Sequence, residues 1–256
     1  MSRSQRKGPE YEVAQAVSGP VVMDDDLSPF DPVRDEITVG RRRLTIARPR
    51  SAEDLIDEDD YARDERLPYW AELWPSSLVL AERLAAMPLH GRRVVELGCG
   101  VGVPAVVSAL GGADVLATDW YDDALAFARA NAVAAGTRIA TMLVDWADPP
   151  ADLVSRPPAD LVIGADLLYE ARNGTALAAL LPRITAPGGD VLIADPRRPH
   201  ADALIEPLIA AGWSHLMREV RHGGRVDESG PLVRLHRLRP PQEVIPVTRV
   251  TPVPIR

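Results

Sequence analysis

Arg93-Val94-Val95-Glu96-Leu97-Gly98-Cys99-Gly100-Val101-Gly102 decides how this chain folds. Val94, Val95 and Leu97 make an apolar run of the length and kind expected of a central parallel strand. Three alternating glycines follow, at Gly98, Gly100 and Gly102. Glycine is cheapest where a backbone turns sharply or lets a ligand come close. Val103 to Leu110 then has a helical pattern, with Pro104 in the first turn, where its missing N–H costs nothing. Gly111-Gly112 ends that helix, and Ala113 to Asp119 reads as a second strand. Strand, glycine loop, helix and strand form a nucleotide-binding βαβ unit. Asp119 closes it roughly twenty residues past the first glycine, where a ribose-binding carboxylate belongs.

The loop admits two cofactors. Gly100-Val101-Gly102-Val103-Pro104-Ala105 fits the dinucleotide pattern G-x-G-x-x-A, but that frame starts late and leaves Glu96 and Gly98 unexplained. The full string Glu-Leu-Gly-Cys-Gly-Val-Gly resembles the first motif of class I S-adenosylmethionine (SAM) methyltransferases. SAM has no pyrophosphate to seat on a helix end. It has an ammonium, a carboxylate and a sulfonium, so an acidic residue beside the loop is chemically apt.

Composition narrows the field. The 256 residues carry a formal net charge of -8, unlike the basic surface of a general phosphate-backbone binder. Cys99 is the single cysteine, which excludes an intrachain disulfide and a cysteine-cluster metal site. A small side chain is the expected reason for Cys99 in the loop. No apolar run approaches membrane-spanning length, and Met1 to Glu10 lacks the apolar centre of a signal peptide, so a cytoplasmic protein is expected. His200, His215, His222 and His236 show no metal-ligand spacing on one element, and no metal is expected.

Residues 1–31 have no sustained period and carry Pro9, Pro20, Pro29 and Asp24-Asp25-Asp26, the pattern of a disordered tail. Residues 32–74 form an extension. Within it, Glu36 to Ala47 reads as a hairpin turning at Gly40, with Arg41 to Arg43 facing solvent at its tip. Ser51 to Arg66 reads as a loose helix capped by Ser51. Trp70 and Trp74 would share one face if helical, serving either as a core staple or as a flat wall beside a planar ligand. Residues 75–239 form the main domain. Its first helix is expected to be capped by Ser76 or Ser77 and to run to Met87, with Leu78, Leu80, Ala81, Leu84 and Ala85 as its apolar stripe.

Beyond Asp119 the pattern repeats. Tyr121 to Ala135 is a helix, and Arg138 to Val144 a strand ending in Asp145-Trp146. Asp160 to Asp166 is a strand running into Leu167-Leu168-Tyr169-Glu170, after which Asn173 caps a helix to Ile184. Pro187-Gly188-Gly189 is a turn, Asp190 to Asp195 a strand and Pro199 to Ala211 a helix. Trp213 to Val220 and Leu232 to Leu238 close the sheet with no helix between them, and residues 240–256 are a proline-rich tail. The fold is therefore α/β: a doubly wound, Rossmann-like, mostly parallel seven-stranded sheet with an antiparallel edge strand, plus the N-terminal hairpin and helix extension. Too little chain remains for the separate catalytic domain that a dinucleotide enzyme would need.

Ligands of such a sheet lie at the carboxyl ends of its strands. Glu96 and Gly98 to Gly102 would face the methionine part of the cofactor and Asp119 the ribose. Asp145 can accept from the adenine amino group, with Trp146 stacked beside the ring. Asp166 and Tyr169 lie where the methyl group should point. Asp195-Pro196-Arg197-Arg198 could bind an acidic acceptor, but pairing with the protein's own surface carboxylates is the simpler expectation.

Trp74, Asp145-Trp146 and Asp166-Leu167-Leu168-Tyr169 resemble the seven-β-strand protein lysine methyltransferases, the group that includes the electron-transfer-flavoprotein β-subunit lysine methyltransferase. The likeness spans about Ile37 to Leu238. It implies a SAM site formed by Trp74, Glu96, Gly98, Cys99, Gly100, Gly102, Asp119, Trp120, Asp145, Trp146 and Ala165. It also implies an acceptor channel bordered by Asp166 and Tyr169, and a protein substrate methylated on a lysine nitrogen. A small-molecule N- or O-acceptor, SAM binding without turnover, and a nicotinamide oxidoreductase are the alternatives.

Overall fold

The computed structural model describes residues 25–55, 68–221 and 230–241, apart from the Asp54 side chain. Its centre is the stretch quoted first. β3 (Arg93–Leu97) lies between β4 (Asp114–Asp119) and β6 (Ala159–Ala165), parallel to both. With β5 (Ala140–Leu143), β7 (Thr185–Asp195), β8 (Ser214–Arg221) and β9 (Leu232–Arg239), they form a sheet ordered β5-β4-β3-β6-β7-β9-β8. The chain winds outward from β3 to β5, then crosses back to β6. Strand order therefore reverses between β3 and β6, and the crevice for a ligand opens above their carboxyl ends.

Alternation along the central strands sorts the core into two layers. Leu161 and Ile163 of β6, with Leu192 and Ala194 of β7, face α1 (Pro75–Ala85), α2 (Val103–Leu110) and α3 (Asp122–Ala134). Val162, Val191 and Ile193 face the other way, onto α5 (Ala171–Ile184) and α6 (Asp202–Ala210). α4 (Ala151–Val154) is a single turn in the proline-marked loop. Sheet residues buried on both faces need no polar alternation, which is why these strands read as continuous apolar runs. Each fully buried Leu or Phe here, Leu80, Leu177 and Phe127 among them, contributes about 1.5–3 kcal/mol.

The reversed strand expected at one edge is β9. It inserts between β7 and the edge strand β8 and is antiparallel to both. Pro187-Gly188-Gly189 turns within a strand. Ala159 pairs with Thr185 and Leu161 with Asp190, so the extra β7 residues bulge out of the ladder.

The hairpin β1 (Val33–Val39) and β2 (Arg42–Arg48) is a separate two-stranded ribbon. It docks through Val39, Leu44 and Ile46, and through one buried amide. Asn131 of α3 accepts a bond from Ala47 N at 2.7 Å and donates to Ala47 O and to Val101 O, each at 2.9 Å. The side chain stands where a third strand would pair, and it ties the ribbon to the glycine loop. Arg42 at the hairpin tip donates to Leu110 O rather than projecting free.

Several expectations are corrected. Packing begins before residue 32: Asp25 pairs with Arg129, and the Phe30 ring meets Phe127 edge-on at 5.3 Å. The rest of the expected N-terminal tail, most of the helix expected at Ser51 to Arg66 and nearly all of the C-terminal tail lie outside the described residues. The described part of Ser51 to Arg66 holds only a 3-10 turn at Glu53–Leu55. Trp70 and Trp74 do not share a helix. Trp70 belongs to a 3-10 turn at Tyr69–Ala71, whereas Trp74 is the N-cap of α1 with Pro75 as first residue. Proline forces this start, because its ring suits the first helical position and disfavours helix before it. The Ser77 hydroxyl donates back to Trp74 O and caps nothing. Val79, not Ala85, completes the buried stripe of α1. α5 begins at Ala171 with Glu170 as its N-cap, and Asn173 lies inside it, donating to Leu167 O.

Replacing Asn131 by alanine strands Ala47 N–H and two carbonyls away from water. Urea unfolding should show a loss of about 2–3 kcal/mol. Val133→Ala on the exposed face of the same helix should change stability by less than about 0.5 kcal/mol. Equal midpoints for the two variants would show that the amide does not anchor the ribbon.

Candidate cofactor and acceptor site

A cleft of about 490 Å³ opens at the β3/β6 reversal. Its floor is the glycine loop, where backbone room is already spent. A Cβ on Gly98 would sit 2.7 Å from Leu167 Cδ2 and 3.1 Å from Trp146 Cζ2; one on Gly100 would sit 3.0 Å from Trp70 O. Both residues also have positive φ, +60° and +51°. Gly102 differs. It is the N-cap of α2, it does not line the cleft, and its absent Cβ makes room for Ala128 of α3. It packs the loop against that helix.

Strand pairing aims two carboxylates into the cleft. Thr118 Oγ1 donates to Glu96 O at 2.7 Å, and Cys99 N donates to Thr118 O at 2.9 Å, which locks β3 against β4. Asp119 then accepts from Gly100 N at 2.9 Å through Oδ2 and from Tyr121 N at 3.1 Å through Oδ1. Burial raises its pKa although these N–H groups oppose the rise. Glu96 is more extreme. It is 1% exposed, and burial, with Asp119 as a lesser cause, pushes its pKa well above the usual range. Ala105 N–H supports one side of it, while Oε2 has no partner among the described residues. Cys99 is buried, and its thiol is pushed up by burial and by Asp119 and Glu96, so it is a compact loop residue and not a thiolate.

The residues expected at the adenine side lie in the same cleft. Asp145 and Trp146 follow β5 and line the cleft, Asp145 Oδ1 accepting from Ala147 N at 2.9 Å. Trp120 and Ala165 border the same space. The donor set fits SAM: an unpartnered buried carboxylate oxygen at Glu96 for an ammonium, spare lone pairs on Asp119 for a diol, and Asp145 beside a tryptophan for an amino-purine.

At the other end the cleft is aromatic. Trp74 Nε1 donates to Tyr69 O at 2.8 Å, and the Tyr69 ring meets Trp74 at 6.2 Å and Tyr169 at 5.6 Å, edge to face. Trp70 is instead a core residue against Phe30, Phe127 and Tyr121. Trp70 is thus a core staple that also touches the cleft, while Trp74 lines the cleft at its aromatic end. Asp166 lies beneath the aromatic rim, 9% exposed, with a left-handed backbone at φ +57°. Both of its oxygens are taken by Arg198, Nε to Oδ1 at 2.8 Å and Nη2 to Oδ2 at 3.2 Å. Arg198 therefore pairs with the buried Asp166 rather than with a surface carboxylate. The inward pairing of Arg198 and the place of Tyr69 in the cleft are not advertised by the sequence. Arg198 meets its partner 32 residues away with no periodic pattern to announce it, and Tyr69 is masked by the neighbouring tryptophans. Among the described residues, no group of three or more His, Cys, Asp or Glu side chains is placed to hold a metal ion, and no helix is long and apolar enough to cross a membrane.

A family model described as lysine methyltransferase matches residues 66–205, which includes β3 to β7 and the cleft-lining residues. The chain belongs to this family. It is 32% identical over 136 residues to protein N-lysine methyltransferase METTL21A of Danio rerio, covering 50% of this chain and 61% of that protein. It is 30% identical over 167 residues to the electron transfer flavoprotein beta subunit lysine methyltransferase of Xenopus laevis, covering 61% and 65%. Histone-arginine methyltransferase METTL23 of Xenopus laevis matches at 29% over 110 residues, covering 41% and 47%. The match thus spans less than two thirds of each of these relatives. In fold the chain resembles TrmN from Thermus thermophilus, with TM-score 0.51 and 21% identity over 70% of this chain and 51% of that one. It likewise resembles precorrin-6y C5,15-methyltransferase from Geobacter metallireducens, with TM-score 0.52 and 16% identity over 73% and 97%. The doubly wound, Rossmann-like seven-stranded architecture read from the sequence is the fold observed.

Glu96 supplies a test by proton linkage. Its raised pKa keeps it protonated in the free protein above the usual carboxylate range, whereas an ammonium partner favours the charged form. Binding of SAM or S-adenosylhomocysteine should release a proton in that window, and affinity should fall as pH drops through it. Calorimetry in buffers of different ionisation enthalpy measures the release. Glu96→Gln should abolish it; release persisting in that variant assigns the proton elsewhere.

Proposed function

We propose that this protein is a SAM-dependent methyltransferase that methylates a lysine nitrogen of a partner protein. One observation carries the reading. In a chain of the lysine methyltransferase family, a single cleft joins the Glu96, Asp119 and Asp145 carboxylates to an aromatic mouth over Asp166. The first set matches the charges and hydroxyls of the cofactor. The second matches an alkyl chain ending in a cation, because aromatic faces attract ammonium groups and cover methylenes. Bound SAM supplies a methyl group already activated by its sulfonium. The protein's task is then alignment and exclusion of water. Glu96 would face the methionine ammonium, Asp119 the ribose and Asp145 the adenine, with Trp74 and Trp146 as walls and Ala165 leaving space at the carboxyl end of β6. Asp166 and Tyr169 border the path along which the acceptor nitrogen arrives. The relatives that modify lysine support a protein lysine as acceptor, and the arginine-modifying relative makes arginine the second reading.

The test is transfer of a labelled methyl group into a cell lysate, resolved into protein and small-molecule fractions, with acid hydrolysis to name the labelled residue. Label should appear on protein as methyl-lysine. Methyl-arginine would move the assignment to the second reading, and label confined to small molecules would end the protein-acceptor reading. Asp166→Asn should lower turnover at least about tenfold while SAM affinity stays within about twofold, the pattern of a group that acts on the acceptor and not on the cofactor.

A further inference from the structure

An isolated carboxylate at Asp166 would create a chemical conflict. It would draw a lysine ammonium into the cleft and then hold the proton on it, since a nearby opposite charge favours the charged form. Only the neutral amine is a nucleophile. Transfer requires the ammonium to lose a proton to water; the amine then forms its bond to the methyl carbon as the carbon–sulfur bond breaks and its electron pair returns to sulfur.

The structure contains an answer to this conflict. Arg198 spans both oxygens of Asp166, and it is held there from its own backbone. Asp195, fully buried at the end of β7, accepts Arg198 N through both oxygens at 3.0 and 3.2 Å. The turn between them forces Arg197 into a left-handed conformation at φ +68°, and Asp166 is left-handed too. Of the three non-glycine residues with positive φ among the described residues, these two sit at adjacent strand ends beside the cleft, and such conformations gather at working sites. The pair also lines the cleft rather than closing off a surface.

We propose that Arg198 sets the protonation of the acceptor: by neutralising Asp166 and placing a fixed cation beside the arriving nitrogen, it favours the neutral amine over the ammonium. This rests on the function proposed above and makes Arg198 a positioning residue of that same site. Among the described residues, the other charged and titratable groups around the pair are few. Tyr69 and Glu72 face it from the 3-10 turn and the residue that follows it. Tyr169 and the Glu170–Arg172 ion pair face it from the head of α5. Glu72 lies 3.9 Å from Arg48, Glu170 and Arg172 offset each other, and Asp195 is engaged by the Arg198 backbone, so among the described residues the Asp166–Arg198 balance dominates at the acceptor nitrogen. His236 Nε2 lies 3.9 Å from Asp195 on the far side of the turn and is stacked on His215, away from the cleft.

The test is the pH dependence of turnover. Labelled-methyl incorporation into the main labelled protein of a lysate is followed between about pH 6 and pH 10 at saturating SAM. Arg198→Gln should slow incorporation at least about tenfold at neutral pH, move the midpoint of the alkaline rise up by about one unit or more, and recover toward the wild-type rate at the alkaline end. Asp166→Asn leaves the cation without its carboxylate and should move the midpoint down, although its rate is lower. Its opposite shift carries the test if Arg198→Gln fails to fold. S-adenosylhomocysteine affinity, measured by calorimetry, should stay within about twofold of wild type in both variants. Equal losses at every pH, or midpoints that stay at the wild-type value, would overturn the proposal and leave Arg198 a structural brace. Absence of any labelled protein with the wild-type enzyme would instead remove the function on which it rests.

Discussion

The register between β3 and β4 is the constraint on which the rest of this protein depends. Leu97 stands beside Thr118, and from that one alignment the site follows. Glu96 and Asp119 reach the cleft, the Thr118 hydroxyl finds the Glu96 carbonyl, and Gly100 finds the Asp119 carboxylate. A slip of one residue in a strand turns every side chain to the opposite face. Here it would bury the wrong groups and strand the loop donors. The register is protected by burial on both faces, with Val94, Leu97, Val115 and Ala117 fully or nearly fully enclosed.

That protection carries charges that the free protein accommodates poorly. A buried carboxylate is costly unless it is paired, and Glu96 has one oxygen with no partner among the described residues. Asp119 is better served by backbone N–H groups, yet burial still raises its pKa. Asp166 is treated differently, with a bidentate guanidinium that leaves neither oxygen bare. The contrast sorts the cleft. One end keeps a carboxylate unsatisfied for a charged ligand, and the other keeps its carboxylate satisfied in advance.

Legibility in the sequence followed locality. The unit from Arg93 to Asp119 could be read because its information is short-range: an apolar run, glycines where φ is positive, and a proline in the first helical turn. The strand ends were legible for the same reason, and they carry Asp119, Asp145, Asp166 and Tyr169. What could not be read depends on distant partners. Asn131 looks like an ordinary helix residue until Ala47 arrives from a hairpin 84 positions earlier. Asp195-Pro196-Arg197-Arg198 reads as surface charge because nothing nearby shows that Arg198 turns inward. The tryptophan pair misled because a spacing of four suggests a helix, whereas Pro75 starts the helix only after both residues have passed. The closing strands announced their antiparallel pairing but not their order, which is set by which strand shields β7.

That order governs how the chain can assemble as it leaves the ribosome. β8 is made before β9, yet it has no place on the sheet until β9 lies between it and β7. Until β9 emerges, β7 must wait with one bonding edge uncovered. Val191 and Ile193, fully enclosed in the finished sheet, lie on that waiting strand. An uncovered edge of this kind invites pairing with other chains. The last strand to emerge is thus a plug, and a transcript truncated before Leu232 would encode a chain with a sticky flank rather than a merely shorter enzyme.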